Sequence, residues 1–204
     1  MNKNQLKTIN TYNKTVDAYI KNTDHLVQTT EMDYFVSQLE PGAKILDLGC
    51  GPGRDAKLFV AQGFSVVGVD LSKNMISTAK KRCPRAQFKI MDMADLKFKP
   101  KQFDGIWANA SLLNIPKKDA IKALQGVYSV LKPGGIFYLS IKKGSGEGIE
   151  LDSRYGLEKF YAYYHKNELL GILKKIGFKI HTSHIQRETT SYVTRQFVIV
   201  FAKK

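Results

Sequence analysis

The chain is poor in the residues that build covalent or metal-bound scaffolds, with two cysteines and four histidines among 204 residues. Cys50 sits in a glycine-rich turn and Cys83 stands beside a proline at a predicted helix end, which gives neither a disulfide framework nor a zinc motif. His181 and His184 fall in a predicted strand, where an i, i+3 pair points to opposite faces, so they are read as structural or surface residues. No metal site is expected. No run approaches the roughly 18 consecutive apolar residues of a membrane helix, and Met1 to Asn10 is polar, without the apolar stretch of a signal peptide. The expectation is a cytoplasmic protein with no membrane partner.

Acidic residues are also scarce, 18 Asp and Glu against 32 Lys and Arg, for a net charge of +14. Clustered, such an excess suits a polyanionic partner. Here it is dispersed as short pairs, Lys80 and Lys81, Lys117 and Lys118, Lys142 and Lys143, Lys174 and Lys175, Lys203 and Lys204. The solvated-surface reading is favoured and nucleic acid is kept as the less favoured partner. An apolar share of 43% at this length fits one domain with its own core.

What the chain does have is alternation. Short β-branched runs, Ala43 to Leu48, Ser65 to Asp70, Gln87 to Met91, Asp104 to Ala108 and Ile136 to Ile141, read as strands. Between them Arg54 to Gln62, Ser72 to Arg82 with its serine cap, and Lys117 to Leu131 closed by Lys132, Pro133 and Gly134 read as helices. This predicts an α/β fold, a mainly parallel sheet with helices on both faces. Further on, Lys166 to Lys175 is helical, and Phe178 to Ile185 and Gln196 to Ala202 are strands that can pair antiparallel. Ahead of the first strand, Gln5 to Leu39 has helical spacing and reads as an N-terminal cover.

The first strand runs into Asp47, Leu48, Gly49, Cys50, Gly51, Pro52, Gly53 and Arg54, a glycine-rich turn at a strand's carboxyl end, just before a helix. In open α/β sheets that crevice binds ligands, and glycine lets a ligand approach the backbone. A dinucleotide site is the competing reading. Its fingerprint wants glycine or alanine where Arg54 stands, and Pro52 removes an amide donor that a pyrophosphate would use. Asp47, Asp70 and Asp92, at or near the ends of successive strands, would also repel a pyrophosphate but attract a cationic ligand.

In the segments Ile45 to Arg54, Val67 to Ser72 and Lys89 to Met93 the sequence resembles the class I S-adenosylmethionine-dependent methyltransferase superfamily. Phe103 to Leu113 and Val130 to Ser140, with its Leu131-Lys132-Pro133-Gly134-Gly135 turn, extend the likeness over the middle two-thirds of the chain. The resemblance implies a Rossmann-like, seven-stranded, mainly parallel sheet with an antiparallel last strand. It divides the single domain, 1–204, into a helical cover (1–40), a cofactor-binding core (41–142) and an acceptor side (143–204). It also implies S-adenosylmethionine as cofactor. Gly49, Gly51 and Gly53, with Asp47, Cys50 and Arg54, would serve its methionine portion. Asp70 would hold the ribose, Leu71 and Met93 the adenine faces with Ser72 and Met75 alongside, and Asp92 the adenine edge. Asn109, Ala110 and Ser111 would lie beside the reactive methyl.

Asn109 to Pro116 and Ser140 to Gly148 are most similar to small bacterial methyltransferases, which tend to carry histidine where this chain has Asn114. A role of that histidine would fall to another residue or be dispensed with. Asn114, Arg154, Tyr155 and Tyr163 are the candidate substrate contacts, the last three in a predicted loop from Glu147 to His165. His165 is the chemical candidate for a general base. Tyr12 and Tyr19 are candidates to close the site from the N-terminal cover, although helical aromatics more often serve a core. The favoured function is methyl transfer to oxygen or nitrogen of a small-molecule acceptor. Two alternatives stay open: a tRNA or rRNA methyltransferase, and a non-catalytic S-adenosylmethionine-binding protein.

Overall fold

The computed structural model describes residues 3–189 and 194–204. In chain order its elements are helices α1 (Lys3–Lys14), α2 (Val16–Thr23) and α3 (Thr29–Val36), then β1 (Lys44–Leu48), α4 (Arg54–Ala61), β2 (Ser65–Asp70), α5 (Lys73–Arg82), β3 (Gln87–Ile90) and β4 (Phe103–Asn109). A 3-10 turn (Leu112–Asn114) leads to α6 (Lys117–Val130), β5 (Leu131–Lys142), β6 (Glu147–Asp152), β7 (Leu157–Ala162), α7 (Lys166–Ile176), β8 (Lys179–Thr189) and β9 (Thr194–Lys203).

Seven strands form one sheet in the order β3-β2-β1-β4-β5-β9-β8. The pairs from β3 to β5 are parallel, and β9 runs antiparallel to both β5 and β8. The predicted Rossmann-like sheet is therefore present, with the antiparallel pairing anticipated for the last two strands. Strand β1 lies between β2 and β4, so the turn after it opens where the strand order reverses, the switch point at which such sheets bind ligands.

Local chemistry explains the element boundaries. Ser72 caps α5, its Oγ accepting from the Met75 amide at 3.2 Å. Gly177 ends α7 in the left-handed conformation, φ 115°, where a Cβ would meet the Tyr128 hydroxyl at 2.9 Å. The N-terminal stretch differs from one continuous helix: it is broken at Thr15, whose Oγ1 turns back to the Thr11 carbonyl at 2.9 Å, and again after Thr23.

The two faces of the sheet bury separate apolar layers. Leu46, Leu48, Val67, Val69 and Ile106 pack with α6, α7 and Phe160 of β7. On the other face Ile45 packs with Phe35 of α3, Phe59 of α4 and Trp107 of β4. Trp107 stacks on Tyr138 of β5 with ring centroids 3.7 Å apart. Fully buried rings of this size contribute about 2–3 kcal/mol each through burial alone, so this layer holds the sheet under the site.

The segment expected to be a loop between β5 and α7 is instead a second, two-stranded sheet, β6 with β7, antiparallel from Glu147↔Ala162 to Asp152↔Leu157. It stands above the main sheet's ligand edge, and α1 packs along β7.

Candidate functional site

The turn after β1 is bent by two amides on one acceptor: Gly49 N and Cys50 N donate to Val69 O at 2.8 and 3.0 Å. Gly49 has φ 76°, and a Cβ there would lie 2.4 Å from Cβ of Ser111. At Gly51 (φ 51°) a Cβ would just touch the Tyr19 ring, with Cε1 at 3.8 Å. The turn is thus a backbone-walled cradle.

Asp70, at the end of β2, crosses to this turn. Its Oδ2 accepts from Gly51 N at 3.1 Å and its Oδ1 from Ser72 N at 2.8 Å. Burial pushes its carboxyl up, against the pull of the Ser72, Gly51 and Leu71 amides. Each oxygen keeps further acceptor capacity. Asp70 lines a cleft with Gly49, Gly51, Leu71, Met75, Met91, Met93, Asn109, Ala110 and Ser111, covered by Tyr12 and Tyr19. Asn114 and Ile115 complete its lining, together with Gln5, Thr8 and Ile9 of α1.

Ser111 Oγ is buried without a hydrogen-bond partner among the described residues. Ala110 holds a left-handed conformation at φ 50°. For alanine that costs of order 1–2 kcal/mol, and its amide is spent on Ser140 O at 3.0 Å. The lining suits a ligand with an amino-acid end at the glycine cradle, a hydroxylated ring at Asp70 and a flat apolar ring among Leu71 and the methionines. The chemistry of S-adenosylmethionine fits all three.

Beneath the cleft lies a buried polar knot. Asp55, at the start of α4, accepts from Trp107 Nε1 at 2.9 Å, from Asn109 Nδ2 at 3.1 Å, and from Arg54 Nε and Nη2 at 2.6 and 3.1 Å. Burial pushes the Asp55 carboxyl up, but Arg54 and these donors outweigh it and hold it below the usual range. Asp47 takes the opposite course: burial first, then the neighbouring Asp55 and Asp70, push its carboxyl well above that range. Its Oδ2 has no partner among the described residues.

A second cavity adjoins the first, since Tyr12, Tyr19, Asn109 and Ala110 line both. Its remaining wall includes Arg54, Ser140, Lys142, Arg154, Tyr161 and Arg195. Arg154 is bidentate on Asp152, 2.9 and 2.8 Å, and the same carboxylate takes Lys159 Nζ at 2.6 Å and the Tyr161 hydroxyl at 2.7 Å. Lys142 Nζ rests 3.6 Å from the Tyr161 ring centroid. Burial, with Arg195 and Arg154 nearby, lowers its pKa to about 8.

Of the residues singled out from sequence, Tyr12, Tyr19, Gly49, Gly51, Asp70, Leu71, Met75, Met93, Asn109, Ala110, Ser111 and Asn114 come together around the cleft. Others stand apart from it. Asp47 lies on the face of β1 that Ile45 shares, behind the turn, because side chains alternate along a strand. Cys50 and Gly53 are buried in the turn, and Ser72 is spent on its cap. Asp92 follows β3 by two residues, its Oδ1 accepting from Ala94 N at 2.9 Å, and its neighbours Met91 and Met93 reach the cleft in its place. Arg54 and Arg154 line the second cavity. Tyr163 lies beyond it and donates to Glu150 at 2.6 Å. Tyr155, half-buried, stacks by Arg154. His165 is exposed before α7, its amide on Glu168 Oε2 at 3.2 Å and its Nε2 on Ser145 Oγ at 2.7 Å, away from both cavities.

Lys142 corrects the solvated-surface reading given to its pair. It is half-buried against an aromatic ring, and nothing in the local sequence marks it out. Asp55 and Trp107 were equally unsignalled. Among the described residues no group of three or more His, Cys, Asp or Glu could hold a metal ion, and no helix is long and apolar enough to cross a membrane.

Comparison with known proteins agrees with this geometry. A methyltransferase domain family matches residues 45–135. Phosphoethanolamine N-methyltransferase 2 of Caenorhabditis elegans is 31% identical over 146 residues, 68% of this chain and 33% of the relative. An S-adenosylmethionine-dependent methyltransferase from Methanosarcina mazei superposes with a TM-score of 0.76 at 23% identity, over 82% of this chain and 95% of its own. A 1,6-didemethyltoxoflavin-N1-methyltransferase of Burkholderia thailandensis, solved with 1,6-didemethyltoxoflavin and S-adenosylhomocysteine, superposes with a TM-score of 0.71 at 23% identity, over 95% and 86%. Residues 45–135 thus match a methyltransferase domain family, and the fold is the one that these S-adenosylmethionine-dependent methyltransferases share. The chain spans between 23% and 51% of the length of the C. elegans protein and similar curated relatives.

Proposed function

We propose that this protein is an enzyme that transfers a methyl group from S-adenosylmethionine to a nitrogen or oxygen of a small-molecule acceptor. The observation that carries this reading is the cleft itself, a glycine cradle and an Asp70 carboxylate at the switch point of the sheet, with a second cavity opening from it across Asn109 and Ala110. In this reading Gly49, Gly51 and Ser111 hold the amino-acid end of the cofactor, Asp70 accepts from the ribose hydroxyls, and Leu71, Met75 and Met93 sandwich the adenine. The relative from C. elegans and the superposed enzyme from B. thailandensis carry N-methyltransferase names with small acceptors, which supports an acceptor of that size.

S-adenosylmethionine held in the cleft would supply an electrophilic methyl group to the acceptor's lone pair and leave as S-adenosylhomocysteine, with the acceptor's surplus proton passing to solvent or a base. The chain's own residues then orient and exclude water. Asp55 fixes Asn109 through the 3.1 Å hydrogen bond, so the wall between the cavities is held from below. Tyr12 and Tyr19, edge to face with centroids 5.7 Å apart, cover both cavities. Burial keeps the Tyr12 hydroxyl protonated far into the alkaline range, so it stays a donor.

The test is turnover with methyl-labelled S-adenosylmethionine against a panel of small amines, alcohols and carboxylates. A single labelled product whose formation Asp70→Ala abolishes is the expected result. Label transferred only to RNA or protein, or to nothing, refutes the reading.

A further inference from the structure

The second cavity is walled by α1, α2, the β6–β7 sheet and β9, and it is cationic. Among the described side chains Arg54, Lys142, Arg154 and Arg195 line it, while two carboxylates, Asp152 and Glu150, line the adjoining hollow that shares Lys142, Tyr161 and Arg195 with it. The carboxylates are engaged elsewhere: Asp152 takes Arg154, Lys159 and Tyr161, and Glu150 takes the Tyr163 hydroxyl. Lys142 is left with rings, 3.6 Å from the Tyr161 centroid and 5.6 Å from that of Tyr163, and with no carboxylate in ion-pair contact among the described residues. A half-buried ammonium facing other cations is unfavourable unless an anion shares its site. The cavity also abuts Asn109 and Ala110, on the edge of the cofactor cleft.

We infer that the second cavity is the acceptor pocket and that it selects an acceptor bearing a carboxylate or phosphate, which Lys142 receives with Arg154 and Arg195 beside it. This rests on the methyl-transfer reading above only for the acceptor's role; the anion site stands on its own geometry. Arg154 arrives already held in place by Asp152, so its outward N–H groups are pre-organised for a second anion. The Tyr161 ring carries Lys142 in turn. A polynucleotide is the poorer fit, because two helices and the small sheet enclose a pocket rather than an open groove along which a backbone could run.

The test uses the full chain saturated with S-adenosylhomocysteine and titrated with sulfate, followed by NMR. The expected result is one saturable site, weakened about tenfold or more in Lys142→Met, retained in Lys142→Arg and retained when surface Lys80 and Lys81 are changed to glutamine. Lys142→Met keeps the aliphatic stem against Tyr161, and thermal unfolding near the wild-type midpoint verifies its fold; Arg195→Gln gives a second reading of the same site. Malonate and inorganic phosphate in place of sulfate then separate a carboxylate from a phosphate pocket. Absence of a saturable site, equal affinity in Lys142→Met, or equal losses in the surface variants would overturn the inference. So would Lys142-dependent binding found for tRNA and not for any small anion. Sulfate binding that survives while S-adenosylhomocysteine fails to bind supports the anion site and refutes the cofactor reading alone.

Discussion

The Tyr12 hydroxyl donates to Asn114 Oδ1 at 2.8 Å, across the mouth of the cleft, and Asn114 Nδ2 donates onward to Phe160 O at 2.9 Å. One amide side chain thereby ties α1, the 3-10 turn after β4 and strand β7 into a single cover over the site. Tyr12→Phe removes the first bond and leaves the amide oxygen without its donor, a loss of about 1 kcal/mol. S-adenosylhomocysteine is expected to bind about fivefold more weakly to Tyr12→Phe by calorimetric titration. Unchanged affinity would mean that α1 covers the site without taking part in binding.

The two glycines of the cradle are predicted to behave differently. Gly49→Ala places a Cβ 2.4 Å from Ser111 at φ 76°, so strain and overlap add to about 2–4 kcal/mol of lost stability. Gly51→Ala meets only Tyr19 at 3.8 Å and is expected to cost about 1 kcal/mol while filling the cleft. Thermal unfolding and cofactor titration of both variants should therefore show a fold defect in the first and a binding defect in the second.

Removing Asp55 should be severe. Asp55→Ala leaves the Trp107 indole N–H and the Asn109 amide without their acceptor and the partly buried Arg54 with only Thr23 O, and loss of one partner from a buried ion pair costs about 3–5 kcal/mol, the lower end applying here. Denaturant unfolding checks this; a change below about 1 kcal/mol would show that solvent reaches the knot.

Anion binding in the second cavity is expected to depend on pH with a midpoint near 8. Lys142, lowered to about 8, is charged below that point and neutral above it, so sulfate affinity falls as pH rises through 8. The groups facing it are Glu150 and Asp152 of β6, Arg154 after β6, Lys159 and Tyr161 of β7, Tyr163 just after β7, and Arg195 of β9. Sulfate itself does not titrate in this range, and Lys142→Arg, charged throughout, should flatten the profile to what Lys159, also lowered by burial to about 8, contributes.

What could be read from the sequence was what local chemistry decides. The glycine turn, the Ser72 cap and the strand ending in Asp70 are each set by residues within a few positions, so the sheet and the cleft's own edge were legible. Asp47 was not: it belongs to the same motif, but strand alternation turns it to the face of Ile45. The β6–β7 pair escaped because Glu147 to Ala162 mixes charged and aromatic residues without clean alternation, and Ser153-Arg154-Tyr155-Gly156 lacks a compact hairpin signal. Lys142 reads as half of a surface pair, because its burial is created by Tyr161, nineteen residues on and in another sheet. His165 showed the chemistry of a base and no positional information; α7 fixes it before its first turn, away from the site.

The most direct measurement is calorimetric titration of the protein with S-adenosylmethionine and with NAD, beside Asp70→Ala and Asp70→Asn variants. S-adenosylmethionine should bind, NAD should not, and both substitutions should weaken the binding by about tenfold or more, with alanine the worse because it also strips the acceptor from Gly51 N and Ser72 N. Binding of NAD, or wild-type protein indifferent to S-adenosylmethionine, would contradict the assignment of the cleft.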